Sequence, residues 1–215
     1  MKYLAIDTAS KTLKILVCRD GVYEYFQCDD FKTASVSLMP EVDRLLKKSG
    51  VSLGEMDFYA CVSGPGSFTG IRIGMATIKA FAYVYKKPVV TVTTLELLAY
   101  NAIGAETIVA VCDASNGMRY IAVYDAKMRE LLSPKCLDEN ELADFLGEIE
   151  EPYTLVSDGI SLPKAVYPEN FRDAMKAAVE AGAAHAVAGN EAEPLYIRKP
   201  QAERDLEKKN AEKSR

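Results

Sequence analysis

Leu4-Ala5-Ile6-Asp7-Thr8-Ala9-Ser10, at the head of the chain, returns in its second half as Ile108-Val109-Ala110-Val111-Cys112-Asp113-Ala114-Ser115. In both copies an apolar run ends in Asp, a small polar turn follows, and a second apolar run comes after it. Ile15 and Val17 of the first copy correspond to Ile121 and Val123 of the second. Short apolar runs rich in branched residues and bounded by turn residues fit buried strands. Their recurrence marks a degenerate internal repeat. The expected fold is therefore α/β with two similar lobes, residues 1–103 and 104–200. Residues 201–215 form a charged tail whose only apolar residues are Ala and Leu206, expected to be solvated.

Outward from the first copy, Leu13 to Cys18 and Val22 to Cys28 read as strands joined by a hairpin at Asp20-Gly21. An amphipathic helix follows from about Ser35 to Lys48, with Leu38, Met39, Val42, Leu45 and Leu46 at helical spacing. Pro40 must sit in its first turn or kink it, and Gly50 ends it. Phe58 to Val62 and Val89 to Val92 are further strands, and Thr93 or Thr94 caps a helix running from Leu95 to Ala102. In the second half, Glu130 to Leu132 reads as a strand, about Asn140 to Gly147 as a helix, Tyr153 to Val156 as a strand, and Phe171 to Ala188 as an alanine-rich helix.

With 215 residues, half of them apolar, and a net charge of −5, the chain has the composition of a globular protein with a large core. Its acidity argues against a self-sufficient nucleic-acid surface. No apolar run approaches a membrane span. A strand starts at once after Met1, which leaves no room for a signal peptide. Cys18, Cys28, Cys61, Cys112 and Cys136 are scattered without a C-x-x-C pair, which suggests reduced thiols in a cytoplasmic protein rather than a zinc or disulfide framework.

Between the two repeats lies the longest glycine-rich run, Ser63-Gly64-Pro65-Gly66-Ser67-Phe68-Thr69-Gly70-Ile71-Arg72-Ile73-Gly74. Strand, glycine turn, helix is an arrangement in which backbone N–H groups can cradle phosphate. No Lys-Ser/Thr pair ends it as in a Walker loop, and its glycines do not fit the dinucleotide spacing. The helix beyond is apolar nearly all round; from Ile71 to Tyr85 only Arg72, Thr77, Lys79 and tyrosine hydroxyls are polar. Such a helix is buried on both sides or awaits a partner. Gly70, Gly74 and Thr77 or Ile78 form a row that another helix could approach closely, so Gly74→Arg is expected to leave the fold intact and abolish pairing.

The single histidine, His185, restricts catalysis. A serine or cysteine triad could use no other, and a two-histidine metal site cannot be built; a structural or surface role is the simpler reading. Asp7 and Asp113 end buried strands, where a carboxylate could meet a metal–phosphate group, and Asp158 could do likewise. Each Asp could equally cap its own turn. They leave open an independent nucleotide-binding enzyme, a small-molecule kinase or ATPase.

Ala5-Ile6-Asp7-Thr8, the run Ser63 to Gly74, Thr94-Leu95-Glu96, Asp113-Ala114 with Tyr120, Asp158-Gly159 and Pro194-Leu195-Tyr196-Ile197-Arg198 together resemble the bacterial TsaB (YeaZ-type) family, in order from the first strand to Arg198. The resemblance implies a two-lobed fold of the actin, sugar-kinase and Hsp70 type. It implies a role in forming threonylcarbamoyladenosine at position 37 of tRNAs reading codons that begin with A. The family is regarded as the non-catalytic paralogue and required partner of TsaD, the transferase, in a complex joined by the ATPase TsaE, with tRNA reached mainly through the complex. No cofactor or membrane contact is implied, and a homodimer is the alternative when the chain is alone. The family pairs through its first two helices. Here those are about Ser35 to Lys48 and Gly70 to Tyr85, with Leu38, Met39, Val42, Leu46, Gly70, Ile73, Gly74, Thr77, Ile78 and Phe81 as expected contacts. The chain departs from the family at Ala34-Ser35, where His-Ser is usual, and at Ser115-Asn116, where basic residues are usual.

Overall fold

A computed structural model of the chain describes residues 1–29 and 34–198; the expected tail, 201–215, lies outside the described residues. The first sheet has five strands: β1 (Lys2–Asp7), β2 (Leu13–Arg19), β3 (Val22–Cys28), β4 (Phe58–Val62) and β5 (Val89–Val92), in the order β3-β2-β1-β4-β5. β1 to β3 are antiparallel neighbours, while β4 and β5 run parallel to β1. Asp20 and Gly21, both at positive φ (51° and 86°), turn the β2–β3 hairpin, as a two-residue turn of the primed type requires. The second sheet is β6 (Thr107–Asp113), β7 (Met118–Asp125), β8 (Glu130–Asp138) and β9 (Thr154–Asp158), in the order β8-β7-β6-β9. Its missing fifth strand is replaced by a single parallel bridge between Val156 and Val166.

The repeat is visible residue by residue. Leu4 pairs with Val17 and Ile6 with Ile15; Val109 pairs with Val123 and Val111 with Ile121. Asp7 faces Lys14 across the first ladder and Asp113 faces Arg119 across the second. One face of each sheet, together with the helices α3 (Thr94–Ala99) and α5 (Arg172–Gly182), forms a core joining both halves, from Ala5 and Leu16 to Ala110, Ala122 and Val156. The outer face of the first sheet is covered by α1 (Ala34–Ser49) and α2 (Phe68–Tyr85), with Leu4, Ile6, Ile15 and Val17 packed against Leu38, Val42, Met75 and Ile78. The outer face of the second carries α4 (Glu139–Glu148).

Pro40 lies in the second turn of α1 rather than the first, which rules out one of its two expected places, and its missing N–H leaves the Val36 carbonyl without a helical donor. Three sequence expectations need correction. The expected helix from Leu95 to Ala102 gives way at Tyr100 to a 3-10 turn, Tyr100–Ala102. The helix expected to reach Ala188 stops at Gly182, and a 3-10 turn carries the exposed His185. A side chain at Gly182 would press on Val90, so α5 sits tight on β5 where it ends. Finally, β8 runs on to Asp138. Val123 pairs with Leu132 and Ile121 with Lys135, so Ser133-Pro134 stands opposite Ala122 alone. That is a β-bulge on an edge strand, where proline costs no ladder bond.

Candidate functional site: the interlobe cleft and the outer helix pair

The two turns after β1 and β6 meet the glycine run at the mouth between the lobes. The helix α2 begins at Phe68, so the run is turn only up to Ser67; the Ser67 side chain accepts from the Gly70 N–H at 3.1 Å as N-cap. The turn is fixed from both sides: Ser67 N–H donates to the Ala9 carbonyl at 2.8 Å and Leu195 N–H to the Ser63 carbonyl at 2.8 Å. A Cβ on Gly66 would overlap the Ala9 carbonyl, so this glycine is demanded by backbone approach. Over the mouth runs Leu195 to Arg198. Tyr196 stacks obliquely on Phe68 with centroids 5.1 Å apart, and the Arg198 guanidinium donates to the Ala114 carbonyl at 2.7 Å. This strap, Ser67, Phe68, Ser115 and Tyr120 enclose a cavity of about 470 Å³. A smaller one of about 180 Å³ adjoins it, lined among others by Lys11, Asp113 and Asp158.

Asp7 is not open to that cavity. It is fully buried, accepts from the Ala9 N–H at 2.8 Å, and pairs at 2.8 Å with the Lys14 ammonium, itself fully buried. Lys14 also donates to the Ser10 hydroxyl at 2.7 Å and lies 4.4 Å from the centre of the Phe171 ring. Both nucleotide candidates thus cap their own turns, but only Asp113 lines the cleft. Asp113 accepts from the Ser115 N–H at 2.9 Å, with Lys11 at 3.6 Å and Arg119 at 3.7 Å. The alternation of β2 gives the signal for Lys14: with Leu16 and Cys18 it belongs to the face turned toward the second lobe. A lysine there must be buried and therefore paired.

Two buried thiols, Cys61 and Cys112, are held in the protonated form. Burial pushes Cys61 up to about 12 and Cys112 higher still, a shift to which Asp158 and Asp113 add; a reactive thiol needs the opposite shift. None of the five cysteines is in a disulfide. Among the described residues no His, Cys, Asp and Glu side chains gather as a metal-binding group, and no helix is long and apolar enough to cross a membrane.

The expected contact residues on the outer helices divide sharply. Leu38, Val42, Leu46, Gly70, Gly74 and Ile78 are buried within the chain itself. The glycine row faces β1, not solvent: the Thr8 hydroxyl donates to the Gly70 carbonyl at 2.7 Å, and a Cβ on Gly74 would overlap that hydroxyl. The groove read from these small residues is filled by the chain's own first turn, and Gly74→Arg would disrupt the fold rather than spare it. Met39 is exposed, while Ile73, Thr77 and Phe81 are partly so. Sequence reasoning missed Val36 and Val84, exposed by 75% and 63%. Arg72 projects outward with its guanidinium 4.7 Å from the Phe68 ring centre.

Two duplicated α/β lobes closing on a cleft define the class of the fold, that of actin, the sugar kinases and Hsp70. YeaZ from Pseudomonas aeruginosa superposes with a TM-score of 0.73 at 24% identity, covering 91% of this chain and 99% of its own. Residues 32–147 match the family model described as TsaD, tRNA N6-adenosine threonylcarbamoyltransferase. A protein of Bacillus subtilis (strain 168) named tRNA threonylcarbamoyladenosine biosynthesis protein TsaB is 34% identical over 70% of this chain and 67% of its own length. Its namesake in Haemophilus influenzae is 28% identical over 91% and 92%. The chain belongs to the TsaB (YeaZ-type) family.

Proposed function

We propose that the chain is a non-catalytic cytoplasmic subunit required for threonylcarbamoyladenosine formation on tRNA, acting by pairing with a TsaD-type transferase, and with a TsaE-type ATPase joining the complex. The observation that carries this is the outward side of α1 and α2. Val36 and Met39 on α1, with Ile73, Thr77, Ala80 and Val84 at i, i+4, i+7 and i+11 along one flank of α2, leave an apolar surface uncovered, of the kind that marks a protein interface. The two helices stand on one sheet face, so a partner helix pair could pack against both. The buried Asp7–Lys14 pair supports the non-catalytic reading, because a carboxylate already neutralised and hydrogen-bonded is poorly placed to hold a metal–phosphate group. Pairing would then favour a productive state of the transferase, a coupling free energy between subunits. The test is co-expression with the cognate transferase followed by size-exclusion chromatography of native and Met39→Asp/Val84→Asp chains. Co-elution of the native pair and its loss in the variant, with melting unchanged, is the expected result.

A second reading, an independent nucleotide-binding enzyme, is favoured by the cleft cavity with Asp113, Asp158 and Lys11 at its edge. Titration of the purified chain with ATP and Mg²⁺ separates the two: weak or absent heat fits the subunit, while tight binding with turnover fits the enzyme.

A further inference from the structure

From Phe58 to Leu95 the sequence holds no Asp or Glu, yet it holds Arg72, Lys79, Lys86 and Lys87, in a chain of net charge −5. Folding gathers these cations rather than dispersing them. Arg72, Lys79 and Tyr83 are spaced i, i+7 and i+11 on the flank of α2 opposite Ile73 and Thr77, and Lys86 and Lys87 follow at its C-terminal end. Lys79, Tyr83, Lys86 and Lys87 line a cavity of about 670 Å³ closed on the far side by Ala188 to Asn190. Its size falls within the ~300–1,000 Å³ of ligand sites, and its lining contains no carboxylate. Among the described residues, none of the three lysines has a carboxylate within ion-pair distance; Lys127, Lys135, Lys164 and Lys176 share that state but are scattered, whereas these three gather on one cavity. Lys79 is held in place by donating to the Ala192 carbonyl at 2.9 Å. The nearby acid Glu191 is turned to the Ala188 N–H at 3.2 Å. Tyr83 is 75% exposed, with the Lys86 ammonium 4.2 Å from its ring centre.

We propose that Lys79, Lys86 and Lys87, with the Tyr83 ring, form a binding site for an RNA backbone beside the partner-facing flank of α2. Complementing the helix dipole accounts for one or two cations at a helix end, but not for an acid-free cavity or the exposed ring within it. An acidic protein would take the lysines and leave the ring unused. A nucleotide uses both, phosphate on ammonium and base on ring. The site also answers the acidity of the chain, since a polyanion can approach only where positive charge is concentrated. The inference rests on the proposed role in tRNA modification.

The test is anisotropy titration of unmodified tRNA with the heterodimer carrying either the native chain or Lys86→Gln/Lys87→Gln, at several salt concentrations. Affinity is expected to fall about tenfold at 0.1 M salt, and the slope of log K against log salt to flatten by roughly 1.4–1.8, the share of two phosphate contacts. Tyr83→Ala is expected to lower affinity several-fold without changing the slope. Unchanged affinity and slope in the lysine variant would overturn the site. Loss of co-elution with the transferase in that variant would overturn it too, by assigning the lysines to protein contact. The same titration on the isolated chain reads the site independently, so failure of pairing is distinguished from failure of RNA binding.

Discussion

At the residue scale the chain is held by approaches with no slack. Thr8 and Gly74 are the clearest pair, because the hydroxyl occupies the space a side chain would need. Gly74→Ala is expected to lower unfolding free energy by about 1–3 kcal/mol as an overpacking change. In the Thr8→Ala background the same substitution should cost much less, since the hydroxyl is gone; urea melts of the four chains measure that non-additivity. The buried ion pair behaves differently. Asp7→Asn strands the Lys14 ammonium and is expected to cost about 3–5 kcal/mol, while Asp7→Asn/Lys14→Met should recover most of it. Glu96 supplies the pH dependence. It caps α3 by accepting from the Thr93 N–H, yet burial raises its pKa, with the Glu130 charge adding to the shift. Between its unfolded and folded values the folded chain keeps a proton that the unfolded chain has lost, so stability falls as pH rises through that window. Glu96→Gln, which retains the accepting oxygen, should therefore raise Tm relative to the native chain more at pH 7 than at pH 4. The alternation of β2 shows that Lys14 is buried and needs a partner but not that the partner is Asp7, and the inward turn of Gly74 was not legible in the sequence at all. A glycine row permits close approach to any neighbour, and only the fold says that the neighbour is Thr8.

At the element scale, strands and helix starts were legible because their signals are local: alternation, turn residues, and the Thr93–Glu96 capping box. Helix ends and β8 were less so. An alanine-rich pattern does not reveal that α5 ends at Gly182, where it sits tight on Val90, and Pro134 hides a strand whose bulge absorbs it. The contact residues expected on α1 and α2 were chosen for apolarity, which does not separate positions that face the chain's own sheet from positions left open on the surface. Leu38, Val42 and Ile78 are the most apolar positions because they are core, while the surface open to a partner is the leaner set of Val36, Met39, Ala80 and Val84. The division of α2 into an apolar flank and a basic flank gives an expectation for each. Met39→Asp/Val84→Asp should abolish co-elution with the transferase while shifting Tm by no more than about 2–4 °C, since two exposed substitutions together alter stability by at most about 1 kcal/mol. Lys86→Gln/Lys87→Gln should leave co-elution intact.

At the scale of the whole molecule, the duplicated lobes were legible because the repeat carries its own landmarks, strand, Asp and small turn, into both halves. What the halves do with those landmarks was not. In the first, the carboxylate is sealed by Lys14; in the second, Asp113 stays at the cleft edge beneath a strap pinned by Arg198. That asymmetry is what the proposed role, pairing through the outer helices, would allow. The measurement that bears most directly on that role is threonylcarbamoyl transfer to tRNA by the cognate transferase, assayed with the native chain, with Met39→Asp/Val84→Asp, and without either. Transfer that depends on the native chain and is lost with the variant is the expected result. Transfer proceeding equally well in its absence would contradict it.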